Sequence, residues 1–282
     1  MMEKDIFIKK ENGNKLFTNI LENDINDPNV IYIPTPLMSV VELKESYYPL
    51  SNYGLNVFAL DFSGIGKSEG EVKDITIESI HDDIDTCIKY IKENYNSSIH
   101  MFGASGTGGA IVQHYSTGND SIKSLIQYGV ANYKDASPLI GESAGRTFMI
   151  KMLNPILSLN KKLRPNLNIY AKPPEYNGIN AEKESEWFEE HKKEMHVNIN
   201  LFKAMLDIFL SKSSNIKDKP KCPVLVFAPK HDRYFSFTYI KKYYNWLDEP
   251  KEIYEIDDSH LSFIWRAEEI CKKASDWFYK YS

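Results

Sequence analysis

Short runs of apolar and β-branched residues recur along the chain, separated by longer stretches in which apolar positions return every three or four residues. A run that is apolar throughout suits a strand buried on both faces, and the threes-and-fours spacing suits an amphipathic helix. The pattern predicts eight strands: Asp5–Lys9, Lys15–Ile20, Val30–Ile33, Asn56–Leu60, Ile99–Phe102, Ser124–Tyr128, Val224–Ala228 and Glu252–Ile256. The first two are placed to pair as an antiparallel hairpin at one edge. Helices are predicted over Thr76–Asn94, where Ile77, Ile80, Ile84, Cys87, Ile88 and Ile91 form one stripe, and over Ala267–Lys280. Strand and helix alternating in this way predicts an α/β fold, a mostly parallel eight-stranded sheet with helices on both faces.

The alternation stops between Tyr133 and Lys219. Helical patterning continues there over Arg146–Leu157, Glu182–Glu194 and Asn200–Leu210, interrupted by Pro165, Pro173 and Pro174. An inserted helical cap over 133–219 is therefore expected, on a core built from 1–132 and 220–282. Ser211–Lys221 reads as the exposed return linker.

Composition narrows the classes further. A hydrophobic content of 42% in 282 residues is enough for a sizeable interior, and 18 Tyr suggest aromatic walls as well as ordinary core rings. The formal charge of −5 leaves no basic face, which excludes nucleic acid as a partner. No run reaches the roughly eighteen apolar residues of a membrane span, and Met1–Lys10 is charged and lacks the apolar core of a secretory signal, so a cytoplasmic protein is expected. Cys87, Cys222 and Cys271 are widely spaced and suggest neither a disulfide framework nor a zinc site.

The segment richest in chemistry is Ser98–Ala110, an apolar strand running through Gly103-Ala104-Ser105-Gly106-Thr107-Gly108-Gly109 into a helix. A serine at such an elbow takes a strained backbone conformation that small neighbours permit, and its Oγ projects from the carboxyl edge of the sheet at a helix N-terminus. The next amide, on Gly106, is then free to donate to an oxyanion. Glycine-rich turns also cradle phosphates. Here the turn lies a third of the way along the chain, and Ser121–Tyr128 offers no acid to hold a ribose. Gly66-Lys67-Ser68 imitates the end of a phosphate-binding loop, but Asp61 stands where that loop needs glycine.

Gly103-Ala104-Ser105-Gly106-Thr107 resembles the G-x-S-x-G elbow of the α/β-hydrolase family, with Thr107 in place of the second glycine. Asn56–Gly70, NVFALDFSGIGKSEG, resembles the family's strand followed by D-x-x-G-x-G-x-S, in which Asp61, Gly64, Gly66 and Ser68 shape a structural turn. The resemblance implies a nucleophile, acid and base in the order Ser, Asp, His. Asp232 follows the apolar strand Val224–Ala228, and His260 lies just past the last strand, so Ser105, Asp232 and His260 are the expected catalytic residues. Asp257 and Asp258 could also orient the histidine, although their closeness to it favours a turn role. His231 adjoins the acid as a candidate substrate contact, while His81, His100, His114, His191 and His196 form no metal-ligand spacing.

A second oxyanion donor is expected from the loop Pro34-Thr35-Pro36-Leu37-Met38. Proline has no amide hydrogen, so Pro36 cannot donate, and Leu37 is assigned beside Gly106, with Met38 as the other possibility. The resemblance implies no cofactor and a small-molecule acyl substrate, a carboxylic ester or thioester cleaved through a Ser105 acyl-enzyme. Medium or long acyl chains would fit if apolar cap residues line the cleft: Phe148, Met149, Ile150, Met152, Leu153, Ile156 and Leu157, then Trp187, Phe188, Phe202, Met205 and Phe209. Ordinary packing within the cap is the plainer use of those side chains. Peptidases and acyltransferases use the same triad, and Pro36 with Thr107 leaves room for a catalytically silent binding protein.

Overall fold

The computed structural model describes residues 1–130, 163–166, 180–193, 195–210 and 219–282. Eight strands form one sheet: β1 Met2–Lys9, β2 Lys15–Glu22, β3 Asn29–Ile33, β4 Asn56–Leu60, β5 Ile99–Gly103, β6 Ile122–Tyr128, β7 Val224–His231 and β8 Lys251–Ser259. Their spatial order is β1-β2-β4-β3-β5-β6-β7-β8. The expected hairpin is present, with β1 antiparallel to β2 and β2 antiparallel to β4, and every pairing from β4 onward is parallel.

Alternate residues of the inner strands feed two separate cores, which is why these strands read as apolar throughout. In β7, Val224, Val226 and Ala228 face one core while Leu225 and Phe227 face the other; β3 and β4 divide in the same way. The first core is closed by α2 (Ile77–Asn94), α3 (Ser105–Ser116) and α6 (Phe237–Trp246), and the second by α1 (Lys44–Tyr47), a 3-10 turn over Tyr48–Tyr53 and α8 (Ala267–Lys280). Thr76 starts α2 with a capping box: its hydroxyl accepts from the Ser79 amide at 3.1 Å, and the Ser79 hydroxyl accepts from the Thr76 amide at 2.8 Å.

Between β6 and β7 the described residues carry two helices, α4 (Ala181–Glu190) and α5 (Ile199–Leu210). Helix α4 stops at Glu190, short of the end of the Glu182–Glu194 stretch that the pattern suggested, and Glu194 itself lies outside the described residues. Leu201, Phe202, Ala204, Met205 and Leu206 of α5 are buried in the first core, so that helix is packed as part of the body. The expected Arg146–Leu157 helix, with its apolar residues, also lies outside the described residues, as do Pro173, Pro174 and the side chain of Phe209. A short helix α7 (Ser262–Trp265) precedes α8. No described helix is long and apolar enough to cross a membrane.

In a parallel sheet the loops after successive strands emerge along one edge, where α/β proteins place their sites. The loops after β3, β5, β7 and β8 carry Leu37, Ser105, Asp232 and His260 to that edge.

Candidate active site

Ser105 opens α3 immediately after the last β5 residues and Ala104. Its φ of 62° makes it the only non-glycine with positive φ among the described residues. A left-handed conformation costs a non-glycine on the order of 1–2 kcal/mol, so the surroundings must hold it. They do so by close packing. A Cβ on Gly103 would lie 2.5 Å from the Gly108 carbonyl oxygen, and one on Gly108 would lie 2.5 Å from that of Ile33. A Cβ on Gly106 would fall 1.9 Å from the Phe235 ring. Thr107, the departure from the elbow pattern, is buried and lines the adjoining cavity. The tight contacts fall on its glycine neighbours, so Thr107 changes the cavity wall and leaves the turn intact.

The three residues expected from sequence meet here. His260 Nε2 lies 3.2 Å from Ser105 Oγ, and His260 Nδ1 lies 2.7 Å from Asp232 Oδ2. The second oxygen of Asp232 accepts the amides of Tyr234 at 2.8 Å and Phe235 at 2.9 Å. Both oxygens are thus engaged, one by the turn and one by the imidazole, which orients the carboxylate before any substrate arrives. Burial of His260 favours its neutral form, but the charge and hydrogen bond of Asp232 outweigh this, with help from the nearby Glu184 carboxylate; the net effect raises the imidazole above its ordinary range. Tyr234 packs edge-on to the ring at 4.8 Å.

Asp257 and Asp258 do not orient the histidine, and both belong to β8. Asp257 pairs with His231 at 3.0 Å on the exposed edge, and His231 is absent from the described cavity lining. Asp258 is buried and accepts from Asn180 Nδ2 at 2.7 Å and Trp265 Nε1 at 3.2 Å. His100 and His114 are core residues that burial pushes down to about 3. His100 bonds Ser124, and His114 bonds His81. Among the described residues no group of three or more His, Cys, Asp or Glu side chains is placed to hold a metal.

In the loop expected to supply the second oxyanion donor, the Met38 amide turns back to the Thr35 carbonyl at 3.4 Å, and Leu37 lines the cavity. The loop carrying Leu37 is moored by Asp61, which accepts from the Val40 amide at 2.7 Å and the Ser39 hydroxyl at 2.9 Å. Asp61 also accepts from the Lys67 amide at 2.9 Å, and a Cβ on Gly66 would lie 2.1 Å from its Oδ2. The glycine-rich turn after β4 therefore closes around the carboxylate that holds the Leu37 loop.

An apolar cavity opens over Ser105 and His260. Its described walls include Leu37 and Met38 from the loop, Phe202, Met205 and Leu206 from α5, and Trp187 and Phe188 from α4. Three contributors to the site had no distinct sequence signal. Gly129, at the end of β6 with φ 52°, leaves room for Asp232, whose Oδ2 would lie 2.9 Å from any Cβ there. Phe235 closes over Gly106. Glu184, on α4, is buried beside the histidine loop and accepts from the Leu261 amide at 3.3 Å.

A nucleophile elbow at the carboxyl edge of a mostly parallel eight-stranded sheet defines an α/β hydrolase of the serine type. The chain belongs to the family described as "Serine aminopeptidase, S33", whose model matches residues 39–258. No curated relative is matched by sequence. Among solved structures, the α/β hydrolase GrgF from Penicillium sp. sh18 superposes with a TM-score of 0.70 at 16% identity, over 100% of this chain and 99% of that one. The monoacylglycerol lipase of Paleococcus ferrophilus gives 0.69 at 18% identity, over 100% of both chains. An esterase from Exiguobacterium antarcticum gives 0.66 at 14% identity, over 98% of this chain and 99% of that one. At these identities the likeness is one of fold.

Proposed function

We propose that the chain cleaves carboxylic esters or thioesters of medium or long acyl chains through a Ser105 acyl-enzyme, beneath a cap formed by residues 133–219. The observation that carries this reading is the cavity over Ser105, whose described walls are apolar apart from Thr35, Ser105, Thr107, Tyr234 and His260. An alkyl or aromatic acyl group gains by leaving water for such a surface, and a charged one loses. The ester-cleaving names of the esterase and monoacylglycerol lipase among the fold neighbours agree with it.

In this mechanism His260 Nε2 accepts the Ser105 proton as Oγ attacks the acyl carbon. The amides of Gly106 and Leu37 donate to the oxyanion. His260 then gives the proton to the departing alkoxide or thiolate, and a water deprotonated by the same nitrogen releases the acid and restores Ser105. Asp232 remains a carboxylate throughout and stabilises the imidazolium. The step needs no cofactor.

The family's description favours a second reading, an aminopeptidase. Such an enzyme has to hold the substrate's free ammonium beside the scissile bond, a task for an exposed carboxylate. Glu184 is buried, faces Arg233 at 3.8 Å and is absent from the described lining, which supports the acyl reading over this one.

The test is a series of p-nitrophenyl esters from acetyl to dodecanoyl, run beside aminoacyl p-nitroanilides. The acyl reading expects kcat/KM to climb with chain length and the anilides to be inert, and Leu206→Trp, which fills the α5 wall, to cut the longer esters selectively. Equal turnover of acetyl and longer esters would exclude the long-chain pocket. Preference for anilides would establish the aminopeptidase.

A further inference from the structure

Glu184 is an odd residue to find buried. Helix α4 carries Glu182, Glu184, Glu186, Glu189 and Glu190, yet its buried residues are Glu184 and Phe188. They stand four apart and so face the body together. A buried carboxylate is costly unless it is hydrogen-bonded and opposed by a cation, and the partners of Glu184 come from two different loops. Its Oε1 accepts the amide of Leu261, the residue after His260, at 3.3 Å. Its Oε2 lies 3.8 Å from Nε of Arg233, the residue after Asp232. The Arg233 guanidinium lies over the Phe188 ring at 4.6 Å, which returns the contact to α4. Asn180, just before α4, adds a tie by donating to Asp258 two residues ahead of His260.

We infer that Glu184 is a positioning residue: from the cap it fastens the acid-bearing and base-bearing loops to each other, and it supplies a second negative charge that stabilises the His260 imidazolium. The inference rests on the reading of Ser105, Asp232 and His260 as the reacting set. The charged and titratable groups facing the imidazole are Asp232, Arg233 and Tyr234 from the loop after β7, and Glu184 from α4. Asp232 and Glu184 favour the protonated ring and Arg233 opposes it. Burial raises the Glu184 carboxyl, against the lowering pull of His260 and Arg233. It is the carboxylate at the alkaline end of the range, where His260 works as a base. The placement of α4 and the readiness of the base are then linked.

The distinguishing experiment is the second-order rate of fluorophosphonate labelling at Ser105, measured against pH for the full chain and for Glu184→Gln, Glu184→Asp and Ser105→Ala. A residue that only props up the fold would lower the whole profile without moving its midpoint. The inference expects Glu184→Gln to move the midpoint to lower pH while the alkaline plateau falls on the order of tenfold, through loss of a charge-assisted contact in the transition state. Glu184→Asp, which keeps the charge, should restore much of the midpoint. Should Glu184→Gln fail to fold, Glu184→Ala carries the test with the same sign, because it too removes the charge. A midpoint unmoved in Glu184→Gln, or in Glu184→Ala where it stands in, overturns the role of Glu184. Absence of any Ser105 adduct in the parent protein overturns the underlying site instead.

Discussion

Replacing Asp232 by asparagine changes one atom and, on the geometry described, reverses the direction of the hydrogen bond to His260. Oδ1 accepts two backbone amides, from Tyr234 and Phe235, so the oxygen of an asparagine amide must stay there. Rotating it toward His260 would set an NH2 group against two N–H donors and forfeit both bonds, about 1 kcal/mol or more each, with further donor–donor repulsion. The amide nitrogen is therefore left facing Nδ1, 2.7 Å away in the parent. It can only donate, which makes Nδ1 an acceptor and puts the ring hydrogen on Nε2, pointing at Ser105. The base is then unable to take the serine proton. The same inversion in the serine-protease triad costs on the order of 10⁴ in kcat, and a loss of that size is expected here at an unchanged fold. The assay is p-nitrophenyl butyrate turnover at the alkaline plateau, with labelling of Ser105 and a thermal melt as controls. Turnover within about tenfold of the parent would refute the orienting role of Asp232.

Other consequences can be checked in the same assays. Activity should rise with pH as His260 loses its proton, with a midpoint above the ordinary imidazole value of 6.5. Because the folded ring binds its proton more tightly than the unfolded one, His260 contributes stability in acid that is lost as pH rises through the folded value; His260→Gln should flatten that part of a melting-temperature profile. Gly129→Ala should lose activity beyond its loss of stability: positive φ costs about 1 kcal/mol, and the new methyl displaces Asp232. Asp61→Ala leaves the Val40 and Lys67 amides without their acceptor, a destabilisation of about 1–3 kcal/mol for each that stays buried. It should also slow Ser105 labelling, since the Leu37 loop loses its mooring; unchanged labelling in a folded variant would detach Asp61 from the site.

Strands were legible wherever both faces are buried, and β4 was placed to the residue. The ends of β7 and β8 were not. Lys230, His231 and Asp257 are exposed side chains, and the two strands continue through them because backbone pairing, carried to His231 and Ser259, holds the edge together without apolar side chains. The candidate reacting set was legible because Ser105, Asp232 and His260 each follow a strand, so that one-dimensional order translates directly into position along the sheet edge. Glu184 was not, since it sits among glutamates that read as a solvated helix face; its one sequence trace is the spacing to Phe188. Gly129 and Phe235 were invisible because their roles are about space: one leaves room for a carboxylate, the other fills the gap above Gly106.

The contact between Phe235 and Gly106 has an evolutionary side. The ring occupies the volume that any side chain at 106 would need, and the Phe235 amide holds the acid. Neither position can change freely while the other is fixed. A smaller residue at 235 removes only part of the obstacle, because a methyl at 106 would still lie 2.9 Å from the Gly129 carbonyl oxygen. A side chain at 106 should therefore appear only where residue 235 is smaller and the backbone after β6 has also shifted, and a library that randomises position 106 alone will find it immutable.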